Sequence, residues 1–245
     1  MGLEFARALA AKGNNLLLVS NREEELNAAK EELCAAFPVS VTTRYQDLAR
    51  PDAADQLYTW CTQEVQILPD IVINNAGMFF FEELSAQNLE RAQAMLNLHV
   101  VTITRTCILF GNAMTQRGSG RLLIMSSMAA RLPEPGITIY SATKAYLKSF
   151  GRSLSFELKP YGVSVTTVCP AAIATPLYRL DPKLMNLGVR IRLIHTPQWL
   201  VKKALRAMFR GRRVICPSIM NVWLPCLLAI IPGPVIAAIW KRFKR

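Results

Sequence analysis

The sequence is poor in the residues that hydrolytic and metal-dependent chemistry uses. It holds two histidines, His99 and His195, in 245 residues. They are far apart and in no HExxH pattern, which removes zinc-protease readings and histidine-based triads. The six cysteines (34, 61, 107, 169, 216 and 226) include no CxxC pair. Reduced thiols in a cytosol-like compartment are therefore expected, with neither a zinc ribbon nor a disulfide framework. Acids are scarce as well, with 17 Asp and Glu against 29 Lys and Arg. No secretory pattern is expected, since Met1 leads directly into GLEFARALAAKG.

What is present is apolar. Hydrophobic residues make up 51% of the chain, which excludes disorder, and the length suits a single α/β domain with a sizeable core. Charge is uneven: residues 176–245 carry 14 Lys and Arg against one acid, Asp181, and the remainder is close to neutral. That quarter could meet phospholipid head groups, an acyl carrier or a cofactor's phosphates, or be a solvated basic face. No recognition motif for nucleic acid accompanies it, so none is expected as a partner. Residues 222–240 are 19 uncharged residues followed by Lys-Arg-Phe-Lys-Arg. Pro225, Pro232, Gly233 and Pro234 break this run, which favours a membrane-surface hairpin or a flap over an apolar substrate rather than a straight span. The expected organisation is a domain over 1–221 and an extension over 222–245, cytoplasmic with possible membrane association.

The informative stretch is Arg121 to Leu158. Leu122-Leu-Ile-Met125 reads as a buried strand, followed by Ser126-Ser127 and a loop punctuated by Pro133, Pro135 and Gly136. Tyr140-Ser-Ala-Thr-Lys144 then enters a segment with Ala145, Tyr146, Phe150, Leu154 and Leu158 at helical spacing. Tyr140 and Lys144, four apart, share one helix face. An ammonium beside a phenol favours the phenolate, whose pKa starts near ~10, and fits Tyr140 for general acid/base work. Ser127, at the end of the strand, could hydrogen-bond a substrate oxygen in the same pocket. A bare YxxxK is commonplace on exposed helices, but the ordered set of strand, Ser127, YSATK and long helix is specific.

This set resembles the short-chain dehydrogenase/reductase family, NAD(P)-dependent oxidoreductases on a Rossmann fold. The rest of the chain follows that pattern. Gly2 to Gly13 reads as the first helix with Gly13 as its C-cap, and Gly2 matches the last glycine of the family's TGxxxGxG turn, where helix N–H groups face the pyrophosphate. The first strand and earlier glycines of that pattern are missing. The expectation is that an internal methionine has been read as the start and that the chain as written is incomplete. About four buried aliphatic side chains at ~1.5–3 kcal/mol each would be lost with that strand, against the ~5–15 kcal/mol of a whole domain.

Asn15 to Val19 reads as the next strand. Ser20-Asn21-Arg22 follow where NAD enzymes carry an acid for the ribose 2′-hydroxyl, so NADP(H) is favoured over NAD(H). A helix over 23–37 and a strand near 39–45 lead to Asp47 and Leu48, beside the adenine by resemblance, or a plain loop cap. Asn75-Ala76-Gly77 after a strand at 71–73 resembles the family's NNAG motif. Ser85 caps a helix running toward Met114, in which Asn97 matches the family's fourth catalytic position, holding a relay water. Val163 to Val168 reads as a strand, and Pro170, Ile173 and Thr175 match the segment at the nicotinamide, with Ala171 replacing the usual glycine. Residues 178–194 correspond to a mobile substrate lid, and Thr196 caps a helix with Pro197 at N1.

The resemblance thus implies an α/β, Rossmann-like doubly wound parallel sheet lacking its usual first strand. It implies catalytic Asn97, Ser127, Tyr140 and Lys144 interconverting a ketone and a secondary alcohol. The apolar tail favours a lipophilic substrate, a steroid or long-chain 3-oxoacyl compound. Family analogy adds a homodimer or homotetramer built on the two long helices. A truncated, non-catalytic binding or membrane-scaffold protein on the same fold is the alternative.

Overall fold

The structure, a computed structural model, describes residues 1–132, 135–175, 182–191, 193–218, 223, 231 and 233–243. Among them, six strands are all parallel: β1 (Leu16–Ser20), β2 (Val41–Tyr45), β3 (Ile71–Asn74), β4 (Gly120–Met125), β5 (Val163–Val168) and β6 (Val214–Ile215). The helices between them are α1 (Gly2–Ala10), α2 (Glu23–Ala36), α3 (Ala53–Thr59), α4 (Leu89–Leu96), α5 (Ile103–Arg117), α6 (Thr138–Leu158), α7 (Pro182–Arg190), α8 (Pro197–Phe209) and α9 (Gly233–Phe243). Central strands of a parallel sheet are covered on both faces, and β4 (GRLLIM) and β5 (VSVTTV) are buried along nearly their whole length, β5 with β-branched Val and Thr in place of a purely apolar run.

The sheet is in two pieces. β2 and β1 pair with each other, and β3, β4, β5 and β6 form a second sheet in that order. β1 and β3 therefore each pair along one edge only, and the break falls where the resemblance puts the first strand. Core residues bridge the break, since Leu16 and Val41 share one apolar cluster with Leu123, Val168 and the buried faces of α1 and α8. A second cluster on the other side joins α5, α6 and the same central strands through Phe110, Met114, Leu122, Ile124, Leu147 and Val165.

Local chemistry sets the element ends. Helix α1 stops at Ala10, earlier than a Gly13 cap requires, and the chain leaves it by a tight turn. Gly13 takes a left-handed φ of 78° there while its N–H reaches the Ala10 carbonyl. Ser85 makes a capping box with Asn88. The long helix beyond it is not uniform, because Asn97–Thr102 winds as a π segment between α4 and α5. Residues 86–117 are long and apolar enough to cross a membrane, but Cys107, Phe110 and Met114 on their inner face are core residues against Leu122. Thr196 caps α8 as expected, accepting from the Trp199 N–H at 3.3 Å, with Pro197 in the first turn.

Helix α6 lies close against β5 because Gly151 has no side chain. A Cβ there would stand 2.2 Å from Thr167 Oγ1 and 3.1 Å from Ile124 Cδ1. Gly151→Ala is expected to lower stability by roughly 1–3 kcal/mol, read as a lower urea midpoint at unchanged slope.

Candidate active site

The C-terminal ends of β3 and β4, the start of α6 and the π segment converge on one site. Lys144 is the centre of it. Its side chain is 5% exposed, and its ammonium donates to the Met125 carbonyl at 3.0 Å, at the end of β4. Ser126 Oγ in turn donates to the Lys144 main-chain oxygen at 2.7 Å. Burial pushes the ammonium's pKa down to about 8, with the nearby Cys169 acting weakly in the opposite sense. The Lys144 ammonium lies 5.6 Å from the centre of the Tyr140 ring, one turn earlier on α6. Tyr140 is 6% exposed, and its ring meets Phe79 edge-on at 4.9 Å.

Ser127 sits where the strand ends. Its Oγ accepts the Ala129 N–H at 3.1 Å, capping the short turn Met128–Arg131. A hydroxyl that accepts in this way still has its own hydrogen to offer. Ser127, Tyr140 and Lys144 are thus all buried around the same strand end, as their spacing led one to expect. Asn97 opens the π segment, half-buried, with its Oδ1 accepting from Gln93 Nε2 at 3.0 Å. That bond uses one lone pair of the oxygen and leaves the other available.

His99 is the residue that sequence reading passed over. It is fully buried; its Nε2 accepts the Met78 N–H at 3.1 Å, and its Nδ1 lies 3.0 Å from Thr143 Oγ1. Thr143 Oγ1 spends its own proton on the Tyr140 carbonyl at 2.8 Å, so the His99 Nδ1 must carry the hydrogen. Burial, with Lys144 adding to it, holds the imidazole neutral well below its ordinary pKa. The ring fastens the loop after β3 to the second turn of α6. A histidine two residues after a family asparagine was the available signal, but only the fold brings Thr143 to it.

The residues expected to hold a dinucleotide fall into three groups. Gly2 starts α1 beside the loop after β3, and a Cβ on it would come within 3.2 Å of Asn75 Nδ2. Asn75 Oδ1 is buried with no hydrogen-bond partner. At Gly77 a Cβ would meet His99 Nε2 at 3.2 Å and Lys144 Nζ at 3.8 Å, so only glycine lets that backbone lie over the lysine. Ala76 beside it is exposed. At the far end, Ser20 closes β1 and its Oγ accepts the Arg22 N–H at 3.2 Å. Asn21 follows on the exposed turn, and the Arg22 guanidinium pairs with Glu25 at 2.6 Å on the surface. Asp47 caps its own loop through the Ala49 N–H, while the Leu48 carbonyl accepts from Thr102 of the π segment at 2.8 Å. Along β5's exit, the Pro170 carbonyl accepts the Met128 N–H at 2.8 Å. Ile173 makes a bridge with His195, and its side chain is buried in the apolar cluster that includes the inner face of α8. Thr175 follows, half-buried. An orphaned buried acceptor, a helix N-terminus and a glycine cradle over a buried ammonium together fit a nicotinamide dinucleotide.

A hydrophobic wall flanks Tyr140. Phe79 touches it, and Phe81 meets Trp240 of α9 edge-on at 5.6 Å. Trp240 Nε1 also donates to Glu83, and a Cβ on Gly136 would lie 2.7 Å from the Trp240 ring. The described part of the tail therefore packs on the rim of the site. Residues 178–181 and 192 of the anticipated lid lie outside the described residues, as do Pro133, Pro225 and Pro232. A separate cavity of about 640 Å³ lies between α1 and α8, lined by Arg7, Phe37, Lys202 and Phe209 among others, and none of the four candidate catalytic residues reaches it.

The family model for short chain dehydrogenase matches residues 1–183. The chain belongs to that family. Its members are NAD(P)-dependent oxidoreductases acting on a CH–OH/C=O couple, and the Rossmann-like fold agrees. Among curated relatives, the very-long-chain 3-oxoacyl-CoA reductase of Mus musculus is 30% identical over 193 residues, covering 76% of this chain and 60% of the relative. The Homo sapiens protein of that name is 29% identical over 213 residues, covering 85% and 65%. The chain thus spans a little under two thirds of these relatives. Among solved structures, a short-chain dehydrogenase from Sphingobium yanoikuyae in complex with NADPH superposes with a TM-score of 0.78 at 26% identity, covering 95% of this chain and 93% of that one.

The buried lysine makes a signed prediction. A lysine whose folded pKa lies below its ordinary 10.5, at about 8, costs stability wherever it must be charged. That cost is full below about pH 8 and is relieved as pH rises toward 10.5, because the unfolded chain then binds more protons. Urea unfolding from pH 7 to 10.5 should show this rising contribution in the wild type, and Lys144→Met should remove it.

Proposed function

We propose that this protein interconverts a ketone and a secondary alcohol with NADP(H) on a lipophilic substrate of the 3-oxoacyl or steroid type. The observation that carries the reading is the buried Lys144 ammonium beside the Tyr140 ring, with Ser127 at the same strand end. Bound nicotinamide would supply the hydride in reduction and accept it in oxidation. In reduction, Tyr140 gives its hydroxyl proton to the carbonyl oxygen. Ser127, already accepting from Ala129, donates its hydrogen to the same oxygen and orients it. The Lys144 charge favours the phenolate left behind, and Asn97 supports proton return from solvent. A non-catalytic scaffold gives no reason to bury an ammonium at a cost to stability, so that alternative is not favoured.

Substrate class rests on the wall of Phe79, Phe81 and Trp240 and on the names of the curated relatives. The basic C-terminal quarter would suit the phosphates of an acyl carrier. NADP(H) is supported by the absence of a carboxylate across Ser20-Asn21-Arg22 and by the NADPH-bound structural relative. Exposed apolar residues on the long helices, Ile108 and Phe156, suit pairing of two copies. Trp223, Val235, Lys241 and Arg242 are all exposed, which suits contact between the extension over 222–245 and an anionic membrane surface from the cytoplasmic side.

Tyr140→Phe should lower turnover of a long-chain 3-oxoacyl substrate by about 10²-fold or more while leaving NADPH binding by thermal shift unchanged; undiminished turnover would refute the assignment. Ser20→Asp should move the cofactor preference toward NADH by about tenfold, since a carboxylate repels the 2′-phosphate. Competition between NADPH and NADH in the same thermal-shift assay reads it.

A further inference from the structure

Two thiols stand side by side at the floor of the site. The β5–β6 register pairs Val168 with Ile215, so the next residues on each strand, Cys169 and Cys216, are neighbours on adjacent parallel strands. The Cys169 N–H donates to the Ile215 carbonyl at 2.8 Å, which fixes that register. Adjacent strands run ~4.8 Å apart, inside the Cα separation that a disulfide tolerates. Both are thiols here, and their side chains hydrogen-bond to each other.

The surroundings differ on the two sides. Cys169 is 2% exposed and faces Ser126 and Lys144, while Cys216 is half-buried toward Arg131 and Lys148. The hydrogen bond from Cys169 is the main stabiliser of a Cys216 thiolate, opposed by burial and assisted by the two cations. The same bond and burial hold Cys169 as the protonated partner. The other buried thiols contrast with this. Burial pushes Cys61 up to about 11 and Cys107 up to about 12, and the thiolate of neither is favoured by a hydrogen bond from another cysteine.

We propose that Cys169 and Cys216 are a peroxide-sensitive dithiol, with Cys216 as the attacking sulfur and Cys169 as the resolving one. The Cys216 thiolate attacks a peroxide oxygen; an S–O bond forms, the O–O bond breaks, and the departing hydroxide takes a proton to become water. The Cys169 sulfur, losing its proton, then attacks Cys216; an S–S bond forms, the S–O bond breaks, and a second water leaves. Two thiols are oxidised by two electrons and one peroxide is reduced, and an added dithiol reverses the step. The bond draws the Cys169 sulfur away from Ser126, whose hydroxyl holds the Lys144 carbonyl, and tethers the strand end that leads into Pro170. Oxidation should therefore lower oxidoreductase activity, an effect that rests on the proposed function, whereas the cross-link itself does not.

The test treats the full chain with hydrogen peroxide, with and without later dithiothreitol, and reads mass under non-reducing conditions. The expected result is a loss on the order of 2 Da, two hydrogens, reversed by dithiothreitol. The tryptic peptide that carries Cys216 also carries Cys226, so Cys216→Ser assigns the bond by abolishing the cross-link to the Cys169 peptide. Cys169→Ser should instead trap a dimedone adduct on Cys216. Absence of the cross-link in folded wild-type protein, its survival in Cys216→Ser, or labelling confined to Cys34 would overturn the proposal. A cross-link formed by protein that shows no ketone reduction would sink the functional reading and leave the dithiol standing.

Discussion

The site depends on one interaction, the seating of the Lys144 ammonium against the Met125 carbonyl at the end of β4. A buried cation has few ways to be satisfied, so its bond fixes α6 along the strand and with it the position of Tyr140. Ser126 returns a bond to the main chain of Lys144. Gly77 leaves room above the ammonium that any side chain would fill. His99 ties that glycine loop to Thr143 on the same helix. Each of these contacts would lose its purpose if the lysine were solvated.

Several of these features could be read in the residues. The Leu122–Met125 run of β4 and the β-branched residues of β5 read as strands, and the YSATK segment entering a 3.6-periodic stretch placed Tyr140 and Lys144 on one buried face. Thr196-Pro197 declared the start of α8 because a hydroxyl cap and a proline at N1 have a single mechanical meaning. The role of His99 was not legible, since its partners Met78 and Thr143 lie 21 and 44 residues away. The π segment at Asn97 was equally hidden, because its residues have the same periodicity over six positions as an α-helix. Ile173, a position matched by motif, has its side chain in the core, which the motif alone does not tell.

The divided sheet explains why recognition was easier than a structural account. The motifs that identify the family lie on α1, β3, β4 and α6, and α1 packs against residues from both sides of the break. The two-stranded piece contributes Ser20 and Asp47 and is joined to the rest through apolar packing and through the Leu48–Thr102 bond. Parallel strands ordinarily gain from neighbours on both edges. β1 and β3 forgo one each, so the two-stranded piece is held to the rest by apolar packing and the Leu48–Thr102 bond rather than by a strand ladder.

The contact of Trp240 with Glu83 spans 157 residues of chain. During synthesis β4, α6 and the glycine loop have all emerged before residue 240 leaves the ribosome. The aromatic rim over Tyr140 is consequently the last part of the site to assemble, and closing so long a loop is among the slower steps open to the chain. Until then the nascent protein displays Phe81 and the entrance beside it to whatever apolar surface is nearest.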